Sequence, residues 1–138
     1  MDWSADSKRI RTSSGDYEVL YFDLESKQGD THGNQTAKDF IWASNTIKYG
    51  DDRHGLQPPS EDKTHINDVN GSGEIVLTGD DFGLVNVFNF PNPSIATSRS
   101  YSAHSEHVVR VALSKDNKSA FSIGGEDKAL IQWKVKSI

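Results

Sequence analysis

The stretch Gly124–Trp133 reads GGEDKALIQW, and it echoes an earlier one, Gly79–Phe88, which reads GDDFGLVNVF. Each opens on glycine and turn-forming residues and closes on an apolar run that ends in an aromatic ring. Gly124 follows Gly79 by 45 residues, and Trp133 follows Phe88 by the same 45. The second copy has an Asp in its turn and a Trp at its end. The first has Phe82 and Phe88 at the positions one period earlier.

Around the later stretch the order is strand, turn, strand, turn, strand: VVRVAL (108–113), SKDNK, SAFSIG (119–124), GEDK, then ALIQWKV (129–135). Apolar and polar residues alternate with the period of two that a half-buried strand requires. The same order surrounds the earlier stretch: THINDV, the turn NGSGE, IVLTG, the turn DDFG and LVNVF. A further copy opens the chain as DWS, ADSK, RIRTSS, GD and YEVLYFDL. No segment carries a helical period, so little helix is expected. Strand-built units of about 45 residues repeat as blades of β-propellers. The expected fold is therefore all-β, a partial β-propeller of about three blades of antiparallel four-stranded sheets. Its blades are expected over 1–63, 64–103 and 104–138.

Phe22 and Phe88 lie 66 residues apart, well over one period. The excess falls between Glu25 and Thr64. Its apolar island FIWASNTIKYG (40–50) is expected to form the fourth, outer strand of the first blade. Pro58 and Pro59 have no backbone donors and are expected to stop pairing. ATSRSYSA (96–103) is the expected outer strand of the second blade.

The bulk numbers narrow the function classes. The 138 residues suffice for one domain. Only 34% are hydrophobic and mean hydropathy is −0.64, so the chain is either rich in polar loops or a piece of something larger. A net charge of −5 and a pI near 5.4 give no electrostatic reason to bind nucleic acid or an anionic membrane. There is no cysteine, which excludes disulfides and thiolate chemistry and fits a reducing compartment. No apolar run is long enough to span a bilayer, and MDWSADSKRI lacks the apolar core of a signal peptide.

AHSEHVVRVALSKDNKSAFSIGGEDKALIQW resembles a WD40 unit, with its His-bearing start, S-x-D-x turn, Asp before the last strand and terminal Trp. Ala103 stands where glycine is usual before that histidine. Three features together resemble the echinoderm microtubule-associated protein-like family: DWSADSK at the start, GDDFGLVNVF followed by NFP, and AHSEHV with GGEDKALIQW at the end. IWASN followed by HGLQPP is similar to the segment that precedes the GDDFGLV blade there. The resemblance spans nearly the whole chain in the right order. It implies the last three blades or so of the second of two tandem propellers. It also implies tubulin or microtubules as partners, a place in the cytoplasm on the cytoskeleton, no catalysis and no cofactor.

The resemblance further implies a hydrogen-bonded chain through His104, Ser122, Asp127 and Trp133, in which buried polar groups satisfy one another. His, Ser and Asp also spell a hydrolase triad, but a strand serine inside a blade lacks exposure, oxyanion donors and a substrate cleft. One period earlier, Phe82 and Phe88 are expected to replace the two anchors by apolar packing, with Asp80 and Asp81 exposed in the turn. No metal is expected: Asp80–Asp81 lacks further oxygen ligands, and His104-x-x-His107 leads into a strand rather than lying on a helix. Trp42, Tyr49, Arg53 and His54 combine residue types enriched at binding hot spots, although Trp42 alternatively covers a blade edge. Lys8, Arg9 and Arg11 form either a contact for an acidic partner or a solvated strand edge.

The two end blades are expected to leave apolar faces open, so self-association is expected. The leading function is a scaffold that binds tubulin or another protein partner. The alternative is a generic WD40 adaptor for a signalling or ubiquitin-system protein.

Overall fold

The computed structural model describes residues 1–56, 65–92 and 98–136, and the alternating segments form three antiparallel sheets. The first holds β1 (Asp2–Trp3), β2 (Arg9–Ser13), β3 (Val19–Asp23) and β4 (Gln28–Gly29). The second holds β5 (Ile66–Gly71), β6 (Ile75–Asp80), β7 (Leu84–Asn89) and β8 (Arg99–Ser102). The third holds β9 (Val108–Leu113), β10 (Ser119–Gly124) and β11 (Leu130–Lys134). Strands adjacent in sequence pair throughout, so each sheet is a meander. This is the architecture of a partial WD40 β-propeller. Among the described residues, helix is limited to α1 (Gly33–Thr36) and short 3-10 turns at Ala37–Asp39 and Asp51–Leu56. The Pro58–Pro59 reading lies outside the described residues.

Local chemistry explains the meander. In the first turn of sheet one, Ser4 Oγ donates to Asp6 Oδ1 at 2.6 Å and accepts from Arg9 N at 2.9 Å. In the first turn of sheet three, Ser114 Oγ donates to Asp116 Oδ1 at 2.7 Å and accepts from Ser119 N at 2.9 Å. The same side-chain bonds close both turns, and both place one non-glycine residue at positive φ, Ser7 at 61° and Asn117 at 56°. Cross-strand register aligns Ile10 with Phe22, Val76 with Phe88 and Ala120 with Trp133.

Sheet two is covered on both faces, which is why five of the six residues of β6 are buried. One face packs Val69, Val76 and Phe88 against Leu56. The other packs Leu77 and Val85 against Val108, Val111 and Ala120 of sheet three, with Trp133 at the edge. Each such aliphatic side chain contributes roughly 1.5–3 kcal/mol on burial. Gly79 lets the sheets close, since a Cβ there would stand 2.6 Å from Val108 Cγ1. Side chains of β5 also stitch sheet two to sheet three. Asp68 Oδ2 accepts from Val111 N and Asn70 Oδ1 accepts from Leu113 N, each at 2.9 Å.

The two end faces are open. Trp3, Leu20 and Phe22 are exposed on sheet one, and Phe121, Ile123 and Leu130 on sheet three. The register places Trp3, Ile10 and Phe22 in one row.

The island at 40–50 does not form the outer strand of sheet one. That position belongs to Gln28–Gly29, which pairs with Phe22 and Asp23. The island instead runs along the free edge of β1, where Ala43 N donates to Trp3 O and Ala5 N to Ile41 O, each at 2.8 Å. The physical reason is the length of β1. Two residues leave an edge of unmet backbone groups, and a following segment fills it.

Candidate functional site

Sheet three carries a continuous polar chain. Asp127 Oδ2 meets His104 Nδ1 at 2.8 Å, His104 Nε2 meets Ser122 Oγ at 2.7 Å, and Trp133 Nε1 donates to the same Oγ at 2.8 Å. Ser122 is fully buried and His104 nearly so. Asp127 Oδ1 accepts from Ala129 N at 3.0 Å, closing the β10–β11 turn. That backbone bond, opposed by partial burial and helped by His104, holds the Asp127 carboxyl below the usual carboxylate range. Gly124 leaves room for the chain, because a Cβ there would overlap Asp127 and His104.

The turn one period earlier differs from the sequence expectation. Phe82 does not pack into the core. It projects from the tip at 67% exposure, 5.0 Å from the His65 ring. Phe88 is buried. Asp80 is not an exposed turn residue but is 7% exposed and fully engaged. Its Oδ1 accepts from Phe82 N and Leu84 N, and its Oδ2 from Asn86 Nδ2, all at 2.9 Å. The cause is a one-residue deletion visible in the pairing. Phe88 and Trp133 are 45 residues apart, but their cross-strand partners Val76 and Ala120 are 44 apart. The shorter turn brings Asp80 to the position from which a carboxylate can hold the hairpin closed.

Between sheets one and two lies a second polar cluster. Arg11, 2% exposed, donates through Nε to Asp2 Oδ2, through Nη1 to Asp52 Oδ2 and through Nη2 to Asn45 Oδ1, at 3.2, 3.2 and 3.0 Å. Arg53 grips both oxygens of Asp52 at 3.0 Å and donates to Ile47 O at 2.7 Å. Asp2 Oδ1 accepts from Ser44 Oγ, Thr46 N and Thr46 Oγ1, each at 2.8 Å. Two arginines and two aspartates thus neutralise one another, the condition under which buried charge is tolerated. Burial and the neighbouring Arg53 charge pull the Arg11 guanidinium below its usual value, against Asp52 and Asp2. Burial pushes the Asp52 carboxyl up, but bonds and charge from Arg53 and Arg11 outweigh it and hold it low.

Of the residues put forward for partner contact, Arg53 is fully buried, so its side chain presents no surface. Trp42 is half-buried under Arg11, whose Cζ lies 4.2 Å from its ring centroid. Tyr49 meets Tyr17 edge-on at 5.2 Å. The side chain of His54 lies outside the described structure. Trp42 and Arg53 are brought into one cluster, and Tyr49 is set apart from it. Lys8 and Arg9 pair with Glu25 and Asp23. The roles of Asp2, Asn45, Asp52 and Asp80 were not foreseen. The one sequence signal was an Arg at alternate positions of an otherwise strand-like RIRTS. Among the described residues no group of three or more His, Cys, Asp or Glu could hold a metal, and no helix is long and apolar enough to cross a membrane.

The sequence pattern described as the echinoderm microtubule-associated protein second beta-propeller matches residues 1–135. Ciliary WD repeat-containing protein ctxp80 of Euplotoides octocarinatus is 41% identical over 138 residues, covering 99% of this chain and 19% of its own length. The 77 kDa echinoderm microtubule-associated protein of Lytechinus variegatus is 38% identical, with 98% of this chain and 21% of its own length covered. Echinoderm microtubule-associated protein-like 4 of Mus musculus is 36% identical, with 98% and 14% covered. The chain therefore spans only 14% to 21% of the length of these three relatives.

Proposed function

Because the chain belongs to the echinoderm microtubule-associated protein family, through that family's second β-propeller, we propose that it is a non-catalytic interaction module that binds tubulin or microtubules. Binding uses loops at the blade ends, and the module works in the cytoplasm on the cytoskeleton. The observation that carries this reading is the family match along residues 1–135, joined to three sheets arranged as blades. Co-sedimentation of the purified chain with stabilised microtubules tests it. The expected result is saturable enrichment in the pellet. A chain that stays in the supernatant at every microtubule concentration defeats the proposal.

The polar chain of sheet three is structural in this reading. Ser122 Oγ is fully buried and already accepts from Trp133, so it meets no substrate carbonyl. The open faces at Trp3, Leu20 and Phe22 and at Phe121, Ile123 and Leu130 suit stacking of one copy on another. Light scattering across a range of concentrations is expected to show species larger than the monomer, and a monomer throughout argues against stacking.

A further inference from the structure

The arginine–aspartate cluster borders a cleft of about 250 Å³ between sheet one, the α1 segment and the loop at Gly73. This is less than the roughly 300–1,000 Å³ of pockets that enclose drug-sized ligands, and it suits a single amino-acid residue. One wall is aromatic. Tyr21 and Trp42 are tilted at 6.2 Å, and Phe40 meets Trp42 edge-on at 6.5 Å. Ile41, at 78% exposure, extends this apolar wall outward.

The polar side of the cleft has a positive excess. Arg11 has five N–H donors, and the protein takes one for each of Asp2, Asp52 and Asn45, which leaves two. Lys38, exposed on the lining, has no ion-pair partner among the described residues. Asp52 also lines the cleft, but Arg11 and Arg53 already engage both of its oxygens. A carboxylate matches free guanidinium and ammonium donors beside an apolar wall.

We propose that this cleft binds the C-terminal residue of a peptide. An apolar or aromatic side chain lies against Phe40, Ile41 and Trp42, and the free α-carboxylate meets Arg11 and Lys38. A C-terminal residue carries both groups on one Cα, which the small volume demands, whereas an internal acidic residue beside an apolar one needs room for two side chains. The inference goes beyond the tubulin reading and does not rest on it.

The test uses the 138-residue chain, with nuclear magnetic resonance of the Trp42 indole N–H and of the amides from Ala37 to Asn45. Three probes are titrated: N-acetyl-phenylalanine, its carboxamide, and N-acetyl-glutamyl-phenylalaninamide. The free acid is expected to shift these signals and to bind about tenfold more tightly than either amide. Lys38→Glu, on an exposed side chain, is expected to remove that preference and leave the remaining spectrum unchanged. Equal binding of acid and carboxamide, tighter binding of the glutamyl probe, or shifts that bypass Trp42 would overturn the assignment.

Discussion

The turn after β6 and the turn after β10 close equivalent hairpins, yet they direct their carboxylates differently. Each holds an Asp that accepts from the backbone N–H two residues on, Asp80 from Phe82 at the end of β6 and Asp127 from Ala129 in the middle of its turn. The second oxygen of Asp127 reaches out of the hairpin to His104, which is 23 residues back along the chain. The second oxygen of Asp80 stays inside its hairpin, on Asn86. Asp127 therefore ties its turn to the loop that leads into sheet three, whereas Asp80 ties its hairpin to itself and leaves that outward tie to Asp81, which accepts from Asn67 Nδ2 at 2.9 Å. The His104 loop is engaged from both sides. Gly83 of the sheet-two turn, at φ 77°, presses against it so closely that a Cβ would lie 2.7 Å from His104 O. Loss of one turn residue does not remove the polar anchor. It moves the anchor.

The sharpest break of the comparison is Asp80→Ala. It strands Phe82 N and Leu84 N, and leaves Asn86 Nδ2 only its 3.4 Å contact with Thr78 Oγ1, around a site that is 7% exposed. Unmet buried donors of this kind lower stability by about 3 kcal/mol in total, measurable as a lower urea midpoint. A loss below about 1 kcal/mol would mean that the apolar packing of Phe88 alone holds the hairpin.

A smaller and more discriminating contrast lies one step into the strands. Thr78 pairs with Asn86 and Ser122 with Ile131, so Thr78 and Ser122 occupy the same place in their sheets. Both are essentially fully buried. Ser122 joins His104 to Trp133, whereas Thr78 has one long contact, 3.4 Å from Asn86 Nδ2. Ser122→Ala is expected to destabilise by about 2 kcal/mol and Thr78→Val by less than about 0.5 kcal/mol. Equal losses would show that burial of a hydroxyl, not its place in the chain, sets the cost.

What the sequence disclosed follows physical range. Strands and S-x-D turns were legible because alternation and side-chain-to-backbone bonds act over two to five residues. The outer strand of sheet one was not, because Gln28–Gly29 is polar and two residues long, and only its pairing defines it. Asp80 was misplaced because a constant spacing of 45 between the third strands hid a spacing of 44 between the second ones. Arg53 looked like a surface anchor because its acceptors, Asn45 Oδ1 and Ile47 O, sit in a segment with no period to read. The joining of His104, Ser122, Asp127 and Trp133 was implied by the WD40 resemblance, since 18 residues separate His104 from Ser122.

The smallest expected effect concerns pH, and it separates the ends of the sheet-three loop. The Asp127 carboxyl is held below its ordinary 3.8, first by the Ala129 N–H. Its contribution to stability is present above 3.8 and is lost as pH falls through the lower, folded-state value. His107 is shifted the other way, above its ordinary 6.5, first by its bond to Glu106. Its contribution is complete below 6.5 and is lost as pH rises through the higher, folded-state value. The loop should therefore be firmest between these limits. Titration by nuclear magnetic resonance should find the Asp127 midpoint below 3.8 and the His107 midpoint above 6.5. Glu106→Gln should lower the His107 midpoint but leave the Asp127 midpoint below its ordinary value, because the Ala129 N–H bond is the larger cause there. If both midpoints return to ordinary values together, the two groups share one network and the loop is not held at two independent points.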